Sequence, residues 1–161
     1  MSAPSKLQIK VALKIQKPIH EVFEAIVDPE KMKNYFISKS SGRIEEGKTL
    51  TWQFPEFDME VPVRVGKIEP DKSVSYYWGD EQGNETKVEI SLMQMSDGVF
   101  VEVSEGEKEN NEEGIKWLQG NTMGWANFLA CMKAYLEYGI NLRKGAFDIS
   151  QMPKEETSDN R

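Results

Sequence analysis

His20, Cys131, Tyr76, Trp78, Asn121 and Thr122 are the side chains whose types and positions could carry chemistry in this 161-residue sequence. His20 is the one histidine, and an imidazole that moves protons needs a partner within hydrogen-bond reach. Between Ile19 and Glu21, with Glu24 a turn further on, it reads as a helix-surface imidazole. Cys131 is the one cysteine, so an internal disulfide and any zinc site with two cysteine ligands are excluded. A thiol becomes a nucleophile only where its pKa is lowered, and Cys131 reads instead as a small apolar helix residue. The glycine-rich loops of dinucleotide and phosphate sites and the serine elbow of hydrolases are absent. Asn84-Glu85-Thr86 fits a glycosylation sequon, but Met1 to Lys6 leads into no apolar signal segment, so the match is fortuitous. No catalytic residue, metal or cofactor is therefore expected.

Recognition of a small molecule remains. Trp52, Phe54, Tyr76, Trp78 and Trp125 fall on the inward registers of their elements, while Asn121 and Thr122 set polar groups beside an apolar stripe. Mostly apolar walls with a few oriented polar groups describe a small-molecule pocket. Composition narrows the partner. The chain carries 20 basic against 27 acidic residues, a net charge of −7. That balance disfavours the nucleic-acid backbone and anionic membranes alike. No apolar run is long enough to span a bilayer, so no membrane insertion is expected. A reduced, cytoplasmic compartment and a monomer are the expectations.

These side chains need elements to hold them. Leu7, Ile9, Val11, Leu13 and Ile15 alternate with Gln8, Lys10, Ala12 and Lys14, the pattern of a half-buried strand. Pro18 suits a first helical turn, and Ile19, Val22, Phe23, Ile26 and Val27 keep helical spacing over 18–27. Asp28 before Pro29 reads as the N-cap of a second short helix, which presents Met32, Tyr35 and Phe36. Beyond residue 38 come apolar alternations at Leu50–Phe54, Met59–Val65, Val74–Trp78, Val88–Leu92 and Val99–Val103. Turn residues at 45–48, 69–72, 80–84 and 97–98 separate them at hairpin spacing, giving an antiparallel meander. Pro62 points to a bulge or an edge position. The acidic stretch from Glu102 to Glu113 reads as a solvated loop, with docking of a basic partner as the alternative. Leu118, Thr122, Trp125, Leu129, Met132 and Leu136 step by 4 and 3 along one face of a long helix ending at Gly139 or near Gly145. Asn121, Phe128 and Tyr135 flank that face, Trp117 lies one position off it, and Phe147 and Ile149 could fold back as an apolar clip. The tail 150–161 is polar and expected to be disordered.

A one-sided sheet must cover its apolar face, and the long helix is the element able to do so. The expectation is an α+β helix-grip: a curved antiparallel sheet of about six to seven strands around the C-terminal helix, with two short helices between the first two strands, in one domain over 6–149. The order of elements, with Pro18-Ile19-His20-Glu21-Val22-Phe23, Asp28-Pro29-Glu30-Lys31 and Gly124-Trp125, resembles the activator of heat-shock protein 90 ATPase homologue family. That family lies in the START-like, birch-pollen-allergen-like superfamily, and the resemblance covers about 6–145. It departs from the pattern at Tyr35-Phe36, where the family often has tryptophan.

The resemblance and the residues together imply a hydrophobic or amphipathic ligand held between sheet and helix. The sheet would line the cavity with Trp52, Phe54, Val63, Tyr76, Trp78 and Ile90. The helix would add Leu118, Asn121, Thr122, Trp125 and Leu129, and the second short helix Phe36. A bulky residue at Thr122 would then block binding. The alternative is a protein-interaction module acting on heat-shock protein 90. The eukaryotic co-chaperone also has an amino-terminal domain with an Asn-Asn-Trp-His-Trp type segment, for which no space is seen before the first strand, so weak ATPase stimulation is expected. A third reading is a cyclase or hydrolase using the cavity, since some superfamily relatives are enzymes.

Overall fold

Strand β1 (Lys6–Ile15) turns Ile9 and Ile15 into the core and leaves Lys10 and Ala12 exposed, as its alternation demands. A computed structural model describes residues 5–79 and 83–147. Helix α1 (Ile19–Val27) follows, with Pro18 just outside it as the N-cap residue rather than within its first turn. The Asp28 carboxylate accepts from the Glu30 amide at 2.9 Å and caps α2 (Pro29–Met32). After α2 the Tyr35 hydroxyl donates to the Ala25 carbonyl at 2.7 Å, pinning this segment to α1. Tyr35 and Phe36 are both buried.

Strands β2 (Lys39–Ser40), β3 (Thr49–Gln53), β4 (Glu60–Glu69), β5 (Ser73–Gly79), β6 (Glu85–Met95) and β7 (Gly98–Glu109) form a meander. All pairings are antiparallel, in the order β1-β7-β6-β5-β4-β3-β2. The first strand thus closes on the last, with Val11 opposite Val103. Asp71, at φ 61°, takes the left-handed backbone conformation in the β4–β5 turn. Pro62 lies at no bulge but at a local edge within an interior strand, one of the two placements expected. It pairs with Thr51 of β3, while the β4–β5 ladder begins only at Arg64, so its missing N–H breaks no bond there. Residues 80–82, Ile149 and the tail 150–161 lie outside the described residues.

The acidic stretch also needs correcting: most of it is strand, not loop. Val99, Val101 and Val103 face inward along β7, and the same alternation carries Glu105 into the core. Asn111 then caps α3 (Glu112–Tyr138), its side-chain oxygen accepting from the Gly114 amide at 2.8 Å. Only glycine fits at 114, because a Cβ there would lie 1.9 Å from the Glu109 carbonyl oxygen. Gly139, at φ 66°, ends the helix.

Helix α3 buries Trp125, Phe128, Leu129, Cys131 and Met132. The middle of the grip is filled with rings. Trp52 meets Tyr76 at 5.2 Å, Trp78 meets Trp125 at 5.6 Å and Phe36 meets Phe128 at 4.7 Å between centroids. Edge-on contacts dominate, the arrangement that ring quadrupoles favour. Open space is therefore found at the margin of this cluster.

Candidate functional site

Glu105 is 1% exposed, and both its oxygens are used. Oε1 accepts from Trp125 Nε1 at 2.8 Å and Asn121 Nδ2 at 3.2 Å. Oε2 accepts from Trp78 Nε1 at 2.9 Å and from the Thr86 hydroxyl. Four elements supply these groups for simple reasons of register. Trp78 of β5 lies opposite Thr86 of β6, and Val88, two residues on, lies opposite Glu105 of β7. Asn121 and Trp125 stand one turn apart on α3, so both reach the same carboxylate. A carboxylate accepts through about four lone-pair sites, and four donors meet it. Buried charge is tolerable only with such partners.

Beside this network the Trp52 indole nitrogen and the Tyr76 hydroxyl are buried with no hydrogen-bond partner among the described residues. Burial first, and the Glu105 charge second, push the Tyr76 hydroxyl well above the ordinary phenol range, so it remains a neutral donor.

A trough of about 490 Å³ opens where Glu105 approaches the surface. Phe54, Phe57, Met59, Val61, Trp78 and Trp117 give it apolar walls, and Asn84, Thr86, Glu105, Lys108 and Asn121 give it polar points. Phe57 and Met59 remain 50% and 57% exposed at its rim. A smaller cavity of about 170 Å³ adjoins it, sharing Trp78 and Asn121 and bounded further by Phe36, Gly120, Gly124, Trp125 and Arg143. Arg143 also borders a third, of about 450 Å³, on its other side.

The structure divides the expected lining residues into two groups. Phe36, Phe54, Trp78, Asn121 and Trp125 border the trough or the smaller cavity. Trp52, Val63, Tyr76, Ile90 and Leu129 are buried in the core and border neither, while Leu118 packs partly buried against that core. Thr122 is half-buried and borders neither, whereas Trp117 lines the trough. Thr86, Glu105, Gly120, Gly124 and Arg143 are not among the lining residues the sequence led us to expect. A signal existed for two of them: Thr86 precedes Val88, Ile90 and Leu92 in strict alternation, and Glu105 follows Val99, Val101 and Val103 likewise. Their polar character hid them.

Cys131 offers no nucleophile. Burial raises its thiol, the Arg143 charge partly opposing and Glu56 assisting. His20 Nδ1 lies 3.0 Å from Asp71 Oδ1 on the exposed surface, remote in kind from a catalytic pocket. No group of three potential metal ligands occurs among the described residues, and no described helix is long and apolar enough to cross a membrane.

Solved structures share this architecture. A protein from Staphylococcus saprophyticus is 32% identical, with a TM-score of 0.75 over 85% of this chain and 96% of that one. The Aha1 dimer from Colwellia psychrerythraea is 20% identical, with a TM-score of 0.71 over 83% of this chain and 98% of that one. DynU16, from the dynemicin biosynthetic locus, is 23% identical, with a TM-score of 0.72 over 83% of this chain and 48% of that one. At such identities the last two show the fold alone. No curated protein matches the chain. The family model described as "Activator of Hsp90 ATPase homolog 1-like protein" matches residues 16–137, from just before α1 almost to the end of α3. With the START-like helix-grip in place around that segment, the chain belongs to the Activator of Hsp90 ATPase homolog 1-like family.

Proposed function

We propose that this protein binds a small amphipathic molecule in the trough beside Glu105. The observation that carries the reading is a concave, aromatic-walled surface whose large side chains Phe57 and Met59 are left half-exposed beside a few fixed polar groups. Covering such walls releases about 25 cal/mol per Å² of apolar area, less the cost of ordering the ligand. Titration with N-phenyl-1-naphthylamine, a neutral fluorescent probe, tests this. Saturable enhancement at one site, weakened several-fold by Phe57→Ala or Met59→Ala, is expected. Both residues are exposed, so the substitutions spare the fold. No saturable site, or one indifferent to both variants, overturns the reading.

A second reading, action on heat-shock protein 90, draws on the family match. A steady-state ATPase assay with the cognate chaperone separates the two. Little stimulation is expected, and several-fold stimulation at stoichiometric protein would favour the co-chaperone reading.

A further inference from the structure

Gly120 and Gly124 stand one turn apart on α3, and a Cβ at either would meet nothing within 4 Å. No contact of the fold requires glycine there, yet each glycine weakens a helix interior by about 1 kcal/mol relative to alanine. Both border the cavity of about 170 Å³ between the rings of Phe36, Trp78 and Trp125. They therefore leave a flat strip of backbone on which a ring system can lie.

Arg143 closes one end of that strip. Its Nε and Nη2 donate to Glu56 at 3.0 and 2.7 Å, and the two side chains are only 15% and 8% exposed. The guanidinium centre lies 6.0, 5.8 and 5.1 Å from the ring centroids of Phe36, Phe54 and Phe147. Glu56 takes one edge of the guanidinium, and among the described residues no second acceptor meets the other. A guanidinium has five N–H groups in a planar fork, so the remaining edge can still take a carboxylate. Local charge points the same way. The cavity behind Arg143 is bordered by Lys33, Arg143 and Lys144 against Glu56 alone, a cationic spot in a chain of net charge −7. Lys33 also shares its ammonium with Glu30 at 3.0 Å and Lys144 is exposed, so Arg143 is the cation held in place by its neighbours.

Granting that the trough is a ligand site, we infer that Arg143 receives the carboxylate of a small aromatic acid whose ring lies across Gly120 and Gly124. The acid end would sit at the cationic spot and the ring among Phe36, Trp78 and Trp125. An apolar extension could pass Asn121 into the trough.

Calorimetric titration with naphthalene-2-acetate and its neutral match, 2-(2-naphthyl)ethanol, tests the assignment at low salt. The acid should bind about tenfold more tightly than the alcohol, as a charge-assisted bond allows. Arg143→Gln should remove that preference. Glu56→Gln breaks the same ion pair but frees the guanidinium, so it should tighten the acid. Were Arg143 only a structural clasp, both variants would weaken binding together, which overturns the inference. Gly124→Leu should abolish binding of acid and alcohol without lowering the melting temperature; retained binding in a folded Gly124→Leu protein also overturns it. Equal affinity for acid and alcohol, or no binding of either where N-phenyl-1-naphthylamine still binds, removes this inference and leaves the trough reading standing. Failure of all three probes removes both.

Discussion

The Glu105 carboxylate ties three strands of the sheet to the middle of the long helix. Glu105 takes hydrogen bonds from Trp78, Thr86, Asn121 and Trp125, which belong to three different elements around its own strand. Removing the acceptor strands those donors in a dry interior, where each unsatisfied group costs about 1–3 kcal/mol. Glu105→Ala is therefore expected to lose about 3–5 kcal/mol in urea denaturation, since partial relaxation and water entry recover some of the sum. Glu105→Gln keeps one oxygen but turns an amide donor toward one indole N–H and the Asn121 or Thr86 group beside it, and about 1–3 kcal/mol is expected. A loss under 1 kcal/mol for Glu105→Ala would mean that the four donors find other partners. Thr122, by contrast, borders neither cavity, so a bulky residue there should leave probe binding unchanged.

Helix α3 is fastened at both ends. At its start Asn111 and Gly114 fit it against the end of β7. Near its end Glu137, 7% exposed, accepts from Lys133 and from the Gln16 amide at 2.8 Å, just beyond β1. Lys133 also donates to the Lys14 carbonyl at 3.0 Å. Burial pushes the Glu137 carboxyl up, but the Lys133 bond, the Gln16 amide and the charges of Lys133 and Lys17 outweigh it, and the group lies below its ordinary value of 4.5. A carboxyl lowered on folding adds stability above its unfolded value and loses it as the pH falls through the folded one. Unfolding free energy should thus drop below about pH 4.5, and Glu137→Gln should remove part of that slope while costing about 1–3 kcal/mol at neutral pH. Urea melts at pH 7, 5, 4 and 3 measure both. An unchanged slope in the variant would assign the acid sensitivity to other carboxylates, such as Glu24, whose bond to Arg43 also lowers it.

Strand order sets how the protein can fold. The meander from β2 to β7 needs only neighbouring strands, but β1 must find β7 across the length of the chain, with Lys6 opposite Glu109. Long-range pairing demands loop closure before contacts reward it, and two-state folding then falls in the range of about milliseconds to seconds. Stopped-flow refolding followed by tryptophan emission reads this directly. Microsecond folding would show that the β1–β7 pairing forms after the observed step. β7 sits between β1 and β6, so its strand is interior and Glu105 is held from both sides.

Much of this was legible in the residues. Period-two alternation in β1, β3 and β5, the Asp28-Pro29 cap and the stepped apolar face of α3 rest on local geometry, which side-chain type reveals directly. The helix-grip followed, because one long amphipathic helix and one one-sided sheet have few ways to bury their faces. Charge and cysteine count likewise bear on what the chain can bind without reference to any fold. The site was another matter. Glu105 looks like any glutamate in an acidic run, and its burial depends on donors brought from residues 78, 86, 121 and 125 by pairing and crossing angles. Trp52 and Tyr76 face inward as their register requires, yet whether an inward ring lines a void or fills one is set by how neighbouring volumes pack. Thr122 and Gly124 lie within one turn of each other on α3; only the direction in which the helix lies on the sheet put the half-buried threonine away from the cavity and the glycine beside it.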